Sequence, residues 1–247
     1  MDSLIKPHER LDDLQIKGYK IIQDPQKYCF TSDAVLLSSF AKAKRGDVVC
    51  DFCSGSGVVG TLLYAKNPGI KKIYAIEIQD ALADMARRSA RLNGLSDIIE
   101  VVCTPVQRAA ELLGHGFADV VVCNPPYYRK SSAIKSESDE IALAKHEIAV
   151  TVPELMRAAR GVLRFGGKFY IVHQADRAAE VLHHMVLNQI EPKVLRAVHA
   201  RADKECHLVL VEGICGGKSG LKIKKPLYIL NENNQYTEEV RKIYSMR

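Results

Sequence analysis

Short apolar runs alternate with helical patterns between residues 48 and 188, and this alternation constrains the fold more than any other feature of the chain. The runs that predict strands are Val48–Phe52, Ile73–Ile78, Ile98–Cys103, Asp119–Cys123 and Lys168–His173. The patterns that predict helices are Val58–Lys66, Asp80–Leu92, Val106–Leu113, Val152–Leu163 and Ala175–Asn188. Strands and helices that alternate over this length predict an α/β fold with a doubly wound, mostly parallel sheet.

Two further strand patterns, Lys193–Ala200 and His207–Gly213, are separated by only a few residues. So short a connection predicts an antiparallel pair at one edge of the sheet, which then has seven strands. Gly94 and the pair Gly166-Gly167 are typical of helix ends.

The remaining residues divide the chain into three predicted parts: an N-terminal segment at 1–40, an alternating domain at 41–215 and a basic tail packed on that domain at 216–247. The N-terminal segment contains a hairpin pattern at Leu14–Ile22, then a helix start with Thr31 or Ser32 as the cap. The tail contains an edge-strand pattern at 226–230.

Composition indicates an ordinary soluble protein, with 47% hydrophobic and 26% charged residues among 247. No apolar run spans a bilayer and the polar N-terminus has no signal core, so no membrane partner and a cytoplasmic location are expected. Seven cysteines, an odd number, argue against a disulfide framework. Cys50 and Cys53 form a CxxC, but without a second pair buried thiols are favoured over zinc or redox chemistry, and no metal is expected.

The tetrapeptide Asn124-Pro125-Pro126-Tyr127 directly follows a predicted buried strand. Its prolines stiffen the turn, because they fix their own φ and force extended geometry on the preceding residue. The side-chain oxygen of Asn124 and the carbonyl of Pro125 can each accept one N–H, while Tyr127 stacks on a ring. The tetrapeptide therefore predicts a catalytic corner for an amine on a planar group, although a rigid loop is the alternative.

The segment Asp51–Gly60 follows the first predicted strand and contains a GxGxxG pattern, with Glu77 at the end of the second strand. Glycines allow close approach of a ligand and Glu77 can accept both hydroxyls of a ribose, so a nicotinamide cofactor is a fair alternative. Two features favour S-adenosylmethionine instead. Asp51 suits an ammonium group and would repel a pyrophosphate, and a hydride donor does not need the amine-binding corner.

Together these segments resemble a known family. Asp51–Gly60, Glu77 and Asn124–Tyr127, in this order and spacing, resemble the amino-group N-methyltransferases of the class I, Rossmann-like fold. With the stretches 30–37 and 226–244, nearly the whole chain resembles the bacterial family that N6-methylates the adenine beside the anticodon of a valine tRNA. The resemblance implies S-adenosylmethionine as cofactor and a tRNA anticodon loop as partner.

The resemblance also implies residue roles. It places Asn124, Pro125 and Tyr127 at the reacting amine. It implies contact with the cofactor for Phe30, Thr31, Asp33, Asp51, Ser54, Gly55, Gly57, Glu77 and Asn124. The chain departs from the pattern twice. Cys53 stands where many relatives have glycine, and Pro105 stands where an acid, often Asp, would contact the cofactor's adenine.

The formal charge of +6 suits a phosphate-bearing polymer, although a solvated basic surface is equally compatible with it. The residues predicted to contact RNA phosphates are Arg129, Lys130, Lys222, Lys224 and Lys225. The long polar stretch 129–147 is predicted to carry recognition. His146-Glu147 is expected to be a surface pair and His183-His184 no metal site.

Other functions remain open from the sequence. The same corner could methylate a glutamine amide of a release factor, although such relatives usually carry a helical N-terminal domain and only about forty residues precede the first strand here. Adenines in DNA or ribosomal RNA are further substrates for the same chemistry. A non-catalytic RNA-binding protein is the alternative from another class, and Pro105 favours it. Oligomeric state is not predicted.

Overall fold

The computed structural model describes residues 4–127 and 150–244. In these ranges the strands are β1 Arg10–Asp13, β2 Lys20–Gln23, β3 Val48–Phe52, β4 Lys72–Glu77, β5 Ile99–Cys103, β6 Ala118–Cys123, β7 Leu163–Gln174, β8 Ile190–His199, β9 Cys206–Cys215, β10 Lys222–Ile223 and β11 Leu227–Tyr228. The helices are α1 Ser32–Phe40, α2 Val58–Lys66, α3 Asp80–Leu92, α4 Ala109–Leu113, α5 Val152–Val162, α6 Ala178–Leu187 and α7 Glu238–Ile243.

The main sheet has the strand order β10-β8-β9-β7-β6-β3-β4-β5, and β11 also pairs with β8. Strands β7, β6, β3, β4 and β5 are parallel, whereas β9 is antiparallel to both β7 and β8. The predicted doubly wound sheet with an antiparallel edge pair is confirmed, and two short tail strands extend it. Since the chain winds outward from β3 to β5 and then returns to β6, a crevice opens at the carboxyl ends of β3 and β6.

The core lies on both faces of this sheet, because the strands are buried on both sides. Leu37 of α1 and Leu63 of α2 belong to one buried cluster, and Met156 of α5 and Met185 of α6 belong to the other. Such two-sided burial explains why the central strands are continuous apolar runs rather than alternating ones. Helices therefore pack against both faces of the sheet whose carboxyl edge carries the site.

The prediction that Gly166 and Gly167 end a helix is wrong. Both lie inside β7, which begins at Leu163 directly after α5. The pairing of β7 with β6 shifts register early in the strand, and a Cβ on Gly167 would lie 2.9 Å from the Arg164 carbonyl oxygen. These glycines therefore permit an irregular pairing between β7 and β6. The local sequence cannot distinguish glycines that permit such pairing from glycines that end a helix.

The N-terminal segment forms a separate hairpin of β1 and β2, so most of the predicted hairpin range Leu14–Ile22 is the connection rather than strand. Ile22 is fully buried against α3 and its N–H donates to Ser89 Oγ at 3.0 Å. Arg88 of α3 donates to both carboxylate oxygens of Glu9, at 2.6 and 2.7 Å. These contacts fix the start of the chain against α3.

The tail packs on the main domain, since its residues Leu227 and Val240 are buried in the core cluster that contains Leu37. The division of the chain into three parts stays a prediction. Of the helices in the two described ranges, none has the length and apolar character needed to cross a bilayer.

Candidate active site

A cavity of about 620 Å³ lies at the crevice between β3 and β6. Its walls come from the loops after four parallel strands and from the segment before α1. The lining residues from those loops include Cys53, Gly55, Glu77, Thr104, Pro105 and Asn124. Three predicted site residues (Gly55, Glu77 and Asn124) therefore meet in one cavity, as the carboxyl ends of parallel strands require.

Asp51 lies within β3, two residues before Cys53 of the cavity wall, and its side chain is buried. Its Oδ2 accepts the Gly60 N–H at 2.9 Å, whereas Oδ1 has no partner among the described residues. Burial, together with the charge of Glu77, raises the pKa of Asp51 to about 7. Gly60 allows this contact, because a Cβ there would lie 3.3 Å from Oδ2. An unpaired buried carboxylate oxygen is the complement of a cation such as an ammonium group.

Glu77 ends β4, and backbone groups hold its carboxylate from two sides. Oε2 accepts the Gly55 N–H at 2.8 Å and Oε1 accepts the Gln79 N–H at 2.9 Å. Burial raises its pKa, while these bonds oppose the shift. Each carboxylate oxygen keeps a further acceptor position, so Glu77 can accept the two hydroxyls of a ribose. Asp51 and Glu77 thus fit S-adenosylmethionine, which carries both an ammonium group and a ribose.

The loop between β3 and α2 is shaped by three residues with positive φ: Cys53 at 56°, Gly55 at 56° and Gly57 at 86°. Cys53 thus occupies a left-handed conformation that costs a non-glycine residue about 1–2 kcal/mol. This conformation explains why glycine suits the position in the family that the sequence resembles. Within the same loop, Ser54 Oγ is buried without a partner among the described residues, which leaves it available to a ligand.

Asn124 follows β6 and lines the cavity. Its Oδ1 accepts the Tyr127 hydroxyl at 3.1 Å, and the Tyr127 ring lies 5.3 Å from the ring of His173. Burial and the nearby Asp33 carboxylate raise the pKa of Tyr127. Tyr127 therefore orients the Asn124 amide, a function that the sequence did not predict. Its predicted stacking on the substrate stays a prediction, as do the roles of Pro125 and Asn124.

The segment before α1 contributes to the cavity through Gln26, Lys27 and Tyr28 rather than through the predicted residues. The Phe30 N–H donates to Gln23 Oε1 at 2.9 Å, and the Gln23 side chain also donates to Ser56 Oγ. Thr31 caps α1 without a side-chain hydrogen bond. Cofactor contacts of Phe30, Thr31 and Asp33 stay predictions, like those of Asp51, Ser54, Gly55, Gly57 and Glu77.

His173 is a buried neighbour of the Tyr127 ring that sequence analysis missed. It lies at the carboxyl end of β7, is 2% exposed, and its Nδ1 has no partner among the described residues. Burial, assisted by the charge of Arg177, lowers its pKa. A polar residue near the end of a predicted parallel strand was the available signal, but only the sheet order shows that β7 lies beside β6.

Of the predicted RNA contacts, the three that lie in the described ranges do not line the cavity. Arg129, Lys130 and the stretch 129–147 fall within residues 128–149, outside the described ranges. Lys222 is exposed on β10, and Lys224 and Lys225 line a separate groove of about 630 Å³. Contact of these residues with RNA stays a prediction. Across residues 4–127 and 150–244, no three His, Cys, Asp or Glu side chains gather as a metal site would require.

Comparison with known proteins identifies the architecture around this cavity. The model of the methyltransferase small domain family matches residues 30–197 of this chain. A predicted O-methyltransferase from Agrobacterium tumefaciens superposes with a TM-score of 0.71 and 21% identity, covering 87% of this chain and 96% of its own. TYW2 of M. jannaschii, solved in complex with AdoMet, has a TM-score of 0.57 and 15% identity, covering 84% and 86%. At these identities the structures establish the fold.

Curated relatives match in sequence as well. The tRNA1(Val) (adenine(37)-N6)-methyltransferase of Bacteroides thetaiotaomicron is 28% identical over 167 residues, which is 68% of each chain. The protein of the same name from Aeromonas hydrophila is 26% identical over 180 residues, covering 73% of this chain and 74% of its own.

Proposed function

The chain belongs to the methyltransferase small domain family, and we propose that it methylates the exocyclic N6 of an adenine in tRNA. By family and fold it is a methyltransferase that uses S-adenosylmethionine. The observation that carries the proposal is the position of Asn124, whose amide lines the same cavity as Gly55 and Glu77. The names of the two curated relatives favour the adenosine at position 37 of a valine tRNA.

The proposed cofactor site contains carboxylate oxygens that can accept further hydrogen bonds. The unpaired Oδ1 of Asp51 would hold the ammonium group, and Glu77 would accept the ribose hydroxyls. S-adenosylmethionine supplies an electrophilic methyl group bound to a sulfonium. Because Asn124 lines the same cavity, an amine held by its side chain would lie beside this methyl group.

The target amine needs activation, because the N6 lone pair of adenine is delocalised into the ring. Asn124 Oδ1 accepts one N6–H and the Pro125 carbonyl accepts the other, which favours a pyramidal nitrogen with a localised lone pair. Tyr127 supports this geometry, since its hydroxyl already occupies one acceptor position of Oδ1 and orients the other. Transfer to N6 would break the bond between the methyl group and sulfur, with the neutral thioether S-adenosylhomocysteine as the leaving group, and the positively charged N6 would then lose a proton to solvent. No general base is required.

An unpaired loop is the RNA structure whose base can enter this site at the lowest cost in free energy. A base in a duplex must be unpaired and unstacked before it can enter a cavity, whereas a base beside an anticodon is already unpaired. We also propose a cytoplasmic location, because the tRNA named for the relatives is a cytoplasmic substrate.

The proposal is tested by mass spectrometry of nucleosides from valine tRNA after incubation with the protein and S-adenosylmethionine. We expect N6-methyladenosine to form, and to be absent when guanosine replaces the adenosine beside the anticodon. The tRNA from cells that lack the gene should lose the same nucleoside. Methylation of a glutamine amide in a release factor, with no methylation of tRNA, would instead support a protein methyltransferase. If no methyl group is transferred to tRNA or to the release factor, a non-catalytic protein is favoured.

The basic tail gives a separate prediction. Replacing Lys222, Lys224 and Lys225 together with glutamine should reduce the salt dependence of tRNA binding, since fewer counterions are released. We expect the slope of log affinity against log salt to decrease in magnitude by about 2. Lys71, which lies at the amino end of β4, serves as the control, because its replacement should leave the slope unchanged. An unaltered slope in the triple variant would remove these lysines from the RNA interface.

A further inference from the structure

The tail carries two stacked tyrosines at the surface. The ring centroids of Tyr236 and Tyr244 lie 5.7 Å apart and their planes differ by 17°. Tyr244 packs against the core cluster of α1 and α2, whereas Tyr236 is 39% exposed. Backbone pairing of Tyr236 with Leu230 holds the outer tyrosine in place, and Thr237 caps α7 immediately after it. An exposed ring supported from behind by a second ring is a flat and rigid surface.

Side-chain contacts connect this pair to the catalytic corner. Tyr244 directly follows α7, which packs against α1, and its ring packs on the core cluster that contains Leu37 of α1. Tyr127, whose hydroxyl donates to Asn124 Oδ1, packs against the same core cluster. The tyrosine pair, through Tyr244, and the tyrosine that orients the Asn124 amide are therefore packed on one core cluster.

The charge of the tail suits the same partner. Residues 216–247 contain seven Lys and Arg against three Glu, a net charge of +4. The whole chain has +6, so the remaining 215 residues contribute only +2. A segment that combines concentrated positive charge with an exposed aromatic ring has the two properties used to bind single-stranded nucleic acid.

We propose that Tyr236, supported by Tyr244, is a stacking platform for an unpaired base of the RNA loop that carries the target adenine. The proposal deepens the function given above and rests on it. A base in a duplex has both faces covered by its neighbours, whereas an unpaired base offers one face to an aromatic side chain. The tail therefore contributes to selecting a loop over a duplex, in addition to attracting phosphates.

The test compares binding of a fluorescent anticodon stem–loop of valine tRNA with binding of a fully paired RNA of the same length. Tyr236→Ala should weaken stem–loop binding about tenfold and leave duplex binding unchanged, because only the stacked base is lost. Tyr236→Phe retains the ring and should bind like the wild type. Phe165→Ala is the matched control, since Phe165 is 79% exposed but lies near the amino end of β7, away from the cavity.

Three results would overturn the platform: stem–loop affinity of Tyr236→Ala equal to the wild type, equal loss with both RNAs, or an equal loss in Tyr236→Phe. Unchanged S-adenosylmethionine affinity in Tyr236→Ala, measured by calorimetry, shows that the fold is intact. If the wild type binds the loop through Tyr236 but transfers no methyl group, the proposed function fails and the platform stands. If tRNA is methylated and Tyr236→Ala behaves like the wild type, only the platform fails.

Discussion

Replacing Asn124 with alanine is expected to lower kcat by roughly 2–4 kcal/mol of barrier, a loss comparable to that of an oxyanion-hole donor. Alanine removes the acceptor that fixes one N6–H, so the lone pair is no longer localised or aimed at the methyl group. Affinity for S-adenosylmethionine should remain, because Asp51 and Glu77 are unaffected. Single-turnover methylation of valine tRNA and calorimetry with the cofactor measure the two effects separately.

Tyr127→Phe is the graded control for this prediction. Phenylalanine keeps the ring against His173 but removes the hydroxyl that donates to Asn124 Oδ1 at 3.1 Å. Loss of one hydrogen bond of about 1 kcal/mol should lower kcat about fivefold, well below the effect of Asn124→Ala. Near-normal methylation by Asn124→Ala would reject the catalytic role of the amide.

Replacing Asp51 with asparagine is expected to weaken S-adenosylmethionine binding roughly 10- to 100-fold, while it stabilises the ligand-free protein. The weakening follows from loss of the negative charge that faces the ammonium group. The stabilisation follows because the wild-type carboxylate is buried and its Oδ1 is unpaired among the described residues. Asparagine carries no charge to desolvate, and its side-chain oxygen can still accept the Gly60 N–H.

The sign of the pH dependence follows from the raised pKa. Asp51 has a pKa of about 7 in the folded protein and the ordinary value of about 3.8 when unfolded. Between these values the folded state binds the extra proton, so stability of the wild type rises as pH falls through 7 towards 4. The stabilisation by Asp51→Asn should therefore be about 2 kcal/mol at pH 8 and nearly absent at pH 5, after allowance for the cost of burying an amide. Urea unfolding at the two pH values measures this difference.

The same protonation should weaken cofactor binding by the wild type as pH falls below about 7, because a neutral carboxyl group does not attract an ammonium. Asp119→Asn is the control for affinity, since Asp119 lies at the amino end of β6 and pairs with Arg164. That variant should bind S-adenosylmethionine like the wild type. Destabilisation of Asp51→Asn by the same amount at both pH values, or wild-type affinity in that variant, would contradict the predicted role.

Much of the fold was predictable because its signals are local. The apolar runs and helical patterns identified β3 through β9 with their intervening helices, and the short connection before β9 identified the antiparallel pair. Gly94 was read correctly, since it has a φ of +68° and the following N–H, of Leu95, donates to the Ala90 carbonyl. Gly166-Gly167 was misread, because the same dipeptide serves a helix end or an irregular strand, and only the partner strand decides between them.

The candidate site also has a part that the sequence predicts and a part that only the folded structure shows. The sequence by itself determined the residues at the carboxyl ends of the strands, including Asp51, Glu77 and Asn124, because a strand pattern fixes where each strand ends. Tertiary structure alone decided that one oxygen of Asp51 is unpaired, that His173 supports Tyr127, and that the Tyr236–Tyr244 pair lies near α1. The physical reason is that periodicity reports the burial of a residue within its own element. The partner of a given atom belongs to another element, often distant in the chain, and that pairing is set only when the sheet and its helices assemble.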